Sequence, residues 1–204
     1  MTTCTTSIAT KELEVRYGKT VAVTDVNLDI PAGSLLSVIG PNGAGKSALL
    51  KALAGAIEIH SGDIDIPGPP PSFVMQSTEV DPSLPISVKD VVSLARYSNR
   101  GPFKRFRKED RDAVDEAIER LNLKDLAKRQ LHELSGGQRQ RVLVAQGLAQ
   151  DSNVLLLDEP INGLDLLSRD IILEMITEEV KAGRTIVLTT HNPVSYTHLT
   201  LPTN

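Results

Sequence analysis

Two segments of the chain carry residue types whose spacing suits the handling of a polyphosphate. Gly40-Pro41-Asn42-Gly43-Ala44-Gly45-Lys46-Ser47 fits the pattern of a phosphate-binding loop. Glycines let a backbone wrap closely and aim several N–H groups at one anion. A helix starting near Lys46 adds its positive end. The Lys46 ammonium has the reach for β- and γ-phosphates, and the Ser47 hydroxyl suits Mg²⁺. The second segment, Val154-Leu155-Leu156-Leu157-Asp158-Glu159, is an apolar run that ends in two carboxylates. Ligands of open α/β sheets bind beyond the carboxyl ends of the strands. A buried strand here therefore delivers both acids to the ligand. Asp158 is placed to hold Mg²⁺ through water, and Glu159 to polarise an attacking water. A nucleoside triphosphate with Mg²⁺ is the expected ligand.

A third segment, Leu134-Ser135-Gly136-Gly137-Gln138, lies between these two. Ser135 and the Gly136-Gly137 backbone at a helix N-terminus offer hydrogen bonds and a positive dipole end to a phosphate. Many nucleotide hydrolases share the first two motifs. This pentapeptide resembles the signature of ABC ATPases, and the chain is similar to that family over residues 12–193.

The resemblance implies ATP with Mg²⁺ as the cofactors, and further roles. Ser135, Gly136, Gly137 and Gln138 would meet the ATP held by a second subunit, so that a homodimer completes each site. Tyr17 falls where an aromatic stacks on adenine. Gln76 resembles the glutamine that contacts Mg²⁺ and the attacking water and faces a transmembrane partner. Asn162-Gly163-Leu164-Asp165 resembles the loop that crosses the dimer interface. The family more often has Ser or Thr near position 162, which leaves the role of the Asn162 side chain open. His191 resembles the switch histidine that bonds the γ-phosphate. The catalytic set is then Glu159, His191 and Gln76. The nucleotide cradle is Tyr17 with residues 40–47, and the Mg²⁺ ligands are Ser47, Gln76 and Asp158.

These residues need elements to position them. Alternation predicts a strand over Glu12–Tyr17, and Val21, Val23, Val26, Leu28 and Ile30 suggest a second. Ser34–Ile39 and Val154–Leu157 read as buried strands, Ser61–Ile66 as an edge strand, Phe73–Met75 as a short strand and Thr185–Thr189 as the last. Pro67–Pro71 is a rigid connector. Helices are predicted from Lys46 and over Val88–Tyr97, Lys108–Leu121, Gln138–Gln150 and Leu167–Lys181. The pattern is α/β: a P-loop NTPase core of ABC ATPase type with an N-terminal antiparallel β subdomain and an inserted α-helical subdomain. The expected division is one ATPase domain over 1–193, with 12–76 and 139–193 as β subdomain and core and 77–138 as helical subdomain.

Composition limits the alternatives. The chain has 204 residues, 24% charged and 40% hydrophobic, with a net charge of −4. Such a balance disfavours nucleic acid as a partner. The basic stretch Arg96, Arg100, Lys104, Arg105, Arg107 and Lys108, with Phe103 and Phe106, reads as a solvated face or a docking surface. The single cysteine, Cys4, reads as a free surface thiol. Residues 1–10 lack the basic and apolar regions of a secretory signal, and no apolar run is long enough to span a bilayer. The expected location is cytoplasmic, peripheral on the inner face of the cell membrane through a separate permease.

Val74-Met75-Gln76, Asp81–Val88, Ala95-Arg96-Tyr97, Arg100-Gly101-Pro102 and Leu134–Arg141 resemble the ATPases of bacterial zinc and manganese importers. That resemblance implies a permease and, indirectly, a substrate-binding protein as partners. ATPases of iron-siderophore and haem importers are the alternative. A non-transport ABC ATPase acting on nucleic acid or in translation is disfavoured, because those usually carry long coiled-coil insertions or two tandem cassettes. A regulatory module without hydrolysis is disfavoured by intact Glu159 and His191. Val194–Thr203 resembles the in-frame translation of a sequencing adapter, so residues 194–204 are expected to be a non-native tail on a C-terminally truncated domain.

Overall fold

A computed structural model describes residues 6–76, 85–100, 106–150 and 152–191. In chain order the elements are β1 (Thr6–Tyr17), β2 (Thr20–Pro31), β3 (Leu35–Ile39), α1 (Lys46–Leu53), β4 (Ser61–Asp65), β5 (Ser72–Val74), α2 (Val88–Arg100), α3 (Lys108–Arg120), α4 (Gly136–Ala149), β6 (Val154–Leu157), α5 (Leu166–Lys181) and β7 (Thr185–Thr190). The adapter-like tail and Cys4 lie outside the described residues.

The chain packs as two compact units. The first takes the residues up to Phe73, Ser152–Glu159 and Ile176 onward; the second takes Val74–Asp151 and Pro160–Met175. In the first, an antiparallel sheet of order β2-β1-β4 accompanies a sheet of order β3-β7-β6-β5. β7 pairs in parallel with β3 on one side and β6 on the other. Every residue of β6 and β7 is buried, which is why all of β6 and the centre of β7, Ile186–Leu188, read as apolar runs without alternation. Leu49, Leu50 and Leu53 of α1 join Ile8, Leu13, Val15, Val154, Leu156 and Val187 in one core. Burying a leucine in this way stabilises by roughly 1.5–3 kcal/mol.

β1 begins six residues before the predicted strand, and the reason lies at Glu12. Its φ of 48° is left-handed, and its N–H donates to Asn27 Oδ1 at 2.8 Å. The register shifts there in both ladders of β1. Ile8 and Thr10 are buried before the bulge, Leu13 and Val15 after it. The inward parity therefore changes, and a period-two pattern cannot run through. The bulged backbone also explains Gly62 of β4, where a Cβ would lie 2.5 Å from the carbonyl oxygens of Lys11 and Glu12.

In the second unit α2, α3 and α4 pack together. The expected boundary at residue 138 falls inside α4. Arg96 differs from its reading as part of a basic surface stretch. Its side chain is 12% exposed, and Nε donates to the fully buried Asp110 at 3.0 Å. Its Nη1 donates to the carbonyl of Ala149 at 3.0 Å. Asp110 in turn accepts the N–H of Arg107 at 2.8 Å, capping α3. One guanidinium thus joins three helices. Phe106 lies against Tyr97 with ring centroids 4.9 Å apart. Phe103, Lys104 and Arg105 lie outside the described residues.

Candidate functional site

β3 leads into residues 40–45, and Gly40 N–H donates to Thr190 O of the neighbouring β7 at 3.3 Å. Gly43 and Gly45 have φ of 81° and 85°. Gly45 is required twice over, because a Cβ there would also meet Ala22 O at 2.1 Å. α1 starts immediately afterwards, with Gly45 as its N-cap and no side chain capping it. Its first N–H groups are the orphan donors that make a helix start an anion site.

Lys46 is 7% exposed. Its Nζ donates to Gly40 O at 2.8 Å and Pro41 O at 3.0 Å, and lies 3.5 Å from Glu159 Oε1. Glu159 Oε2 is 3.5 Å from Nδ1 of His191. The carboxylate beyond β6 therefore stands between the loop lysine and the histidine beyond β7. Ser47 is exposed on the first turn of α1. Asp158 is 5% exposed.

Thr189 was not singled out by sequence reasoning. Its hydroxyl accepts the N–H of Glu159 at 2.9 Å and donates to Asp158 Oδ1 at 2.6 Å. It fixes both acids at once. Glu159 has φ of 48°, an uncommon conformation for a residue with a Cβ and of the kind that gathers at functional sites. A threonine in the fully buried β7 was the available signal, but such a residue reads first as a strand former.

Tyr17 ends β1, paired with Thr20, and is half exposed. Gln76, also exposed, belongs to the second unit. So do Ser135, Gly136, Gly137 and Gln138. Ser135 is the N-cap of α4. Its hydroxyl accepts Gln138 N–H at 3.2 Å, and its own N–H donates to Gln138 Oε1 at 3.0 Å. This capping box fixes the turn and engages the Gln138 side chain within the chain. Asp165 immediately precedes α5, and its Oδ1 accepts the N–H of Ser168 at 2.9 Å. That backbone bond first, and the Ser168 hydroxyl second, hold the Asp165 carboxyl below the usual carboxylate range.

The structure thus brings Lys46, Asp158, Glu159 and His191 together in the first unit, and Ser135–Gln138 with Asp165 in the second. Among the described residues no group of three or more His, Cys, Asp or Glu side chains forms a metal cage. One buried carboxylate and one hydroxyl suit Mg²⁺, which commonly takes one or two carboxylates and completes its shell with water and substrate phosphates. The fold and the loop define a P-loop nucleotide hydrolase.

Residues 23–162 match the model of the ABC transporter family. The manganese transport system ATP-binding protein MntB of Listeria innocua is 38% identical over 187 residues, covering 88% of this chain and 78% of that protein. The zinc transport system ATP-binding protein TroB of Treponema pallidum is 35% identical over 193 residues, with 91% and 73% covered. In structure, an inward-facing ABC transporter assigned to the metal-chelate type matches with a TM-score of 0.83 and 34% identity, over 93% of this chain and 75% of that one. The ATP-binding cassette MJ0796, seen as a post-hydrolysis dimer with ADP and Pi, matches with a TM-score of 0.79 and 25% identity, over 93% and 90%. The chain belongs to the ABC transporter family, as an ATP-binding and ATP-hydrolysing subunit.

Proposed function

We propose that residues 40–47 hold the triphosphate of ATP, with Lys46 on the β- and γ-phosphates, and that Glu159 activates the water that attacks the γ-phosphorus. The observation that supports this most is the Lys46–Glu159–His191 cluster at the mouth of the loop, with its acids fixed by Thr189. Glu159 takes a proton from water, a P–O bond forms to that oxygen, and the bond to the ADP leaving group breaks. His191 and Lys46 donate to the γ-phosphate as charge spreads over its oxygens. Mg²⁺, held by Ser47 and Asp158, would neutralise charge on the β- and γ-phosphates. Tyr17 stacks on the adenine.

Ser135–Gln138 face the γ-phosphate of a second copy, so that a homodimer holds two nucleotides. The dimeric MJ0796 cassette supports that arrangement. Gln76 faces a membrane permease, which places the subunit on the cytoplasmic side. Among the described residues no helix is long and apolar enough to cross a membrane. The cargo is manganese or zinc, supported by the relatives named for those metals, and a substrate-binding protein delivers it. Disrupting the gene should then raise the manganese or zinc needed for growth; a need raised for ferric chelates alone would reject this cargo.

Glu159→Gln tests the hydrolytic assignment. The amide keeps the shape of the site and cannot accept the proton. Turnover should fall by at least ~100-fold, in line with general-base contributions, while ATP still binds. ATP should also drive that variant into a dimer on size-exclusion chromatography. Near-normal turnover would remove Glu159 from the role.

A further inference from the structure

Gly136 and Gly137 are neighbours in one motif, yet their surroundings are opposite. Around a Cβ built on Gly136 there is nothing within 4 Å. Gly137 is buried, and its Cβ would lie 2.4 Å from Asp165 Oδ2, 2.6 Å from Ser168 Oγ and 3.1 Å from Ser168 Cβ. Gly137 is not among the positive-φ glycines, so its backbone would accept a side chain. Only the neighbours forbid one. Those neighbours belong to the cap of α5, within the same unit.

That cap cannot easily give way. Asp165 Oδ1 accepts Ser168 N–H at 2.9 Å, and Asp165 O accepts Arg169 N–H at 3.0 Å. Arg141 follows Gly137 by four residues on α4, which puts both on one helix face. It is 6% exposed, and its Nη1 donates to Leu121 O at 3.0 Å and Asn122 O at 3.2 Å. Its charge attracts the Asp165 carboxylate. Asp165 is therefore held by Ser168 of the helix it caps, and the Arg141 charge adds a weaker attraction.

We infer that Asp165 and Ser168 are positioning residues for the Ser135–Gly137 turn, and that residue 137 is glycine because the cap of α5 presses on it within the same chain. The Asn162–Asp165 loop and the phosphate-facing turn then move as one piece, since a contact at the van der Waals wall leaves no slack between them. This rests on the proposed role of that turn toward a γ-phosphate. It assigns the two glycines different duties: Gly136 leaves space outside the chain, and Gly137 admits the cap.

Compensating substitutions in the full chain test the inference. Gly137→Ala should lower kcat for ATP by at least ~10-fold, the rate equivalent of the strain of one extra methyl group. KM should stay within about 3-fold, because the nucleotide is held by the other unit. Gly137→Ala should also lower the melting temperature without nucleotide, although alanine is the better helix former. Asp165→Ser with Ser168→Gly makes room while residue 165 can still cap α5. Adding that pair to Gly137→Ala should restore most of the melting temperature and raise kcat at least ~5-fold above Gly137→Ala, a coupling that a double-mutant cycle reads directly. If Gly137→Ala leaves the nucleotide-free melting temperature unchanged or raises it, or if the pair rescues neither quantity, glycine 137 serves the nucleotide and the inference is wrong. A parent chain without any ATPase activity would sink the proposed function and the positioning role together. Failed rescue in an active parent sinks the positioning role alone.

Discussion

The phosphate loop and the signature turn are both glycine-rich, and both open a helix, but they are built on opposite principles. Before α1, Gly43 and Gly45 take left-handed conformations and no side chain caps the helix. The charged groups that complete the loop come from elsewhere: Lys46 is folded over it and Glu159 arrives from β6. Before α4 the order is reversed. Ser135 and Gln138 close a capping box, and the glycines that follow have no left-handed φ. The first segment leaves its helix end open to an anion. The second is a finished helix start, in which the capping box takes up the Ser135 and Gln138 N–H groups and leaves those of Gly136 and Gly137 outside it. The difference teaches that glycine content alone does not identify a phosphate site. What matters is which N–H groups the chain itself leaves unsatisfied.

Substitutions that separate the two segments break or sharpen this contrast. The largest effect is expected at Lys46. Lys46→Ala removes a charge-assisted contact to phosphate, and calorimetry should show ATP affinity lower by at least ~10-fold, the equivalent of 1.5 kcal/mol or more. Equal affinity would end the claim that this segment is the primary nucleotide cradle. Ser135→Ala should behave differently. It removes the cap of α4, costs about 1 kcal/mol of stability and lowers kcat, while ATP affinity of the single chain stays near that of the parent. Mixing Ser135→Ala and Lys46→Ala chains should give more activity than either alone, because one composite site then carries neither change. No gain from heterodimers shown to form would argue against composite sites.

The smallest effect concerns Asp165. Its carboxyl titrates below the ordinary range because Ser168 bonds to the charged form. A depressed carboxyl contributes stability that is complete above the unfolded pKa and is lost as pH falls through the folded one. The melting-temperature gap between the parent and Asp165→Asn should therefore be constant at neutral pH and close below about pH 4. A gap that persists unchanged in acid would mean that geometry rather than charge carries the cap.

The parallel core was legible because its strands are buried on both faces. Val154–Leu157 and Thr185–Thr190 have no solvent side, so the apolar runs Val154–Leu157 and Ile186–Leu188 mark them. The first half of β1 was not legible. Its inward positions change parity at Glu12, and nothing in a period-two count announces a left-handed residue. Arg96 was misplaced for a related reason. Its charge suggested solvent, and the partner that buries it, Asp110, lies fourteen residues away on another helix. Within the site, Lys46, Asp158 and Glu159 followed from residue type and spacing. Thr189 did not, because its role is a hydrogen-bond relay between two strands, and strand neighbours are a property of the sheet order rather than of the local sequence.

The uncapped start of α1 has a consequence for folding as well as for chemistry. A helix whose first donors are left to a ligand is finished only when that ligand binds. Nucleotide thereby becomes a structural component, and its free concentration enters the unfolding equilibrium. At a hundredfold excess over its dissociation constant a ligand adds about 2.7 kcal/mol to the stability of the state that binds it. That gain should appear first as slowed amide hydrogen exchange in the opening turn of α1. The opening turn of α4, which brings its own cap, has less to gain.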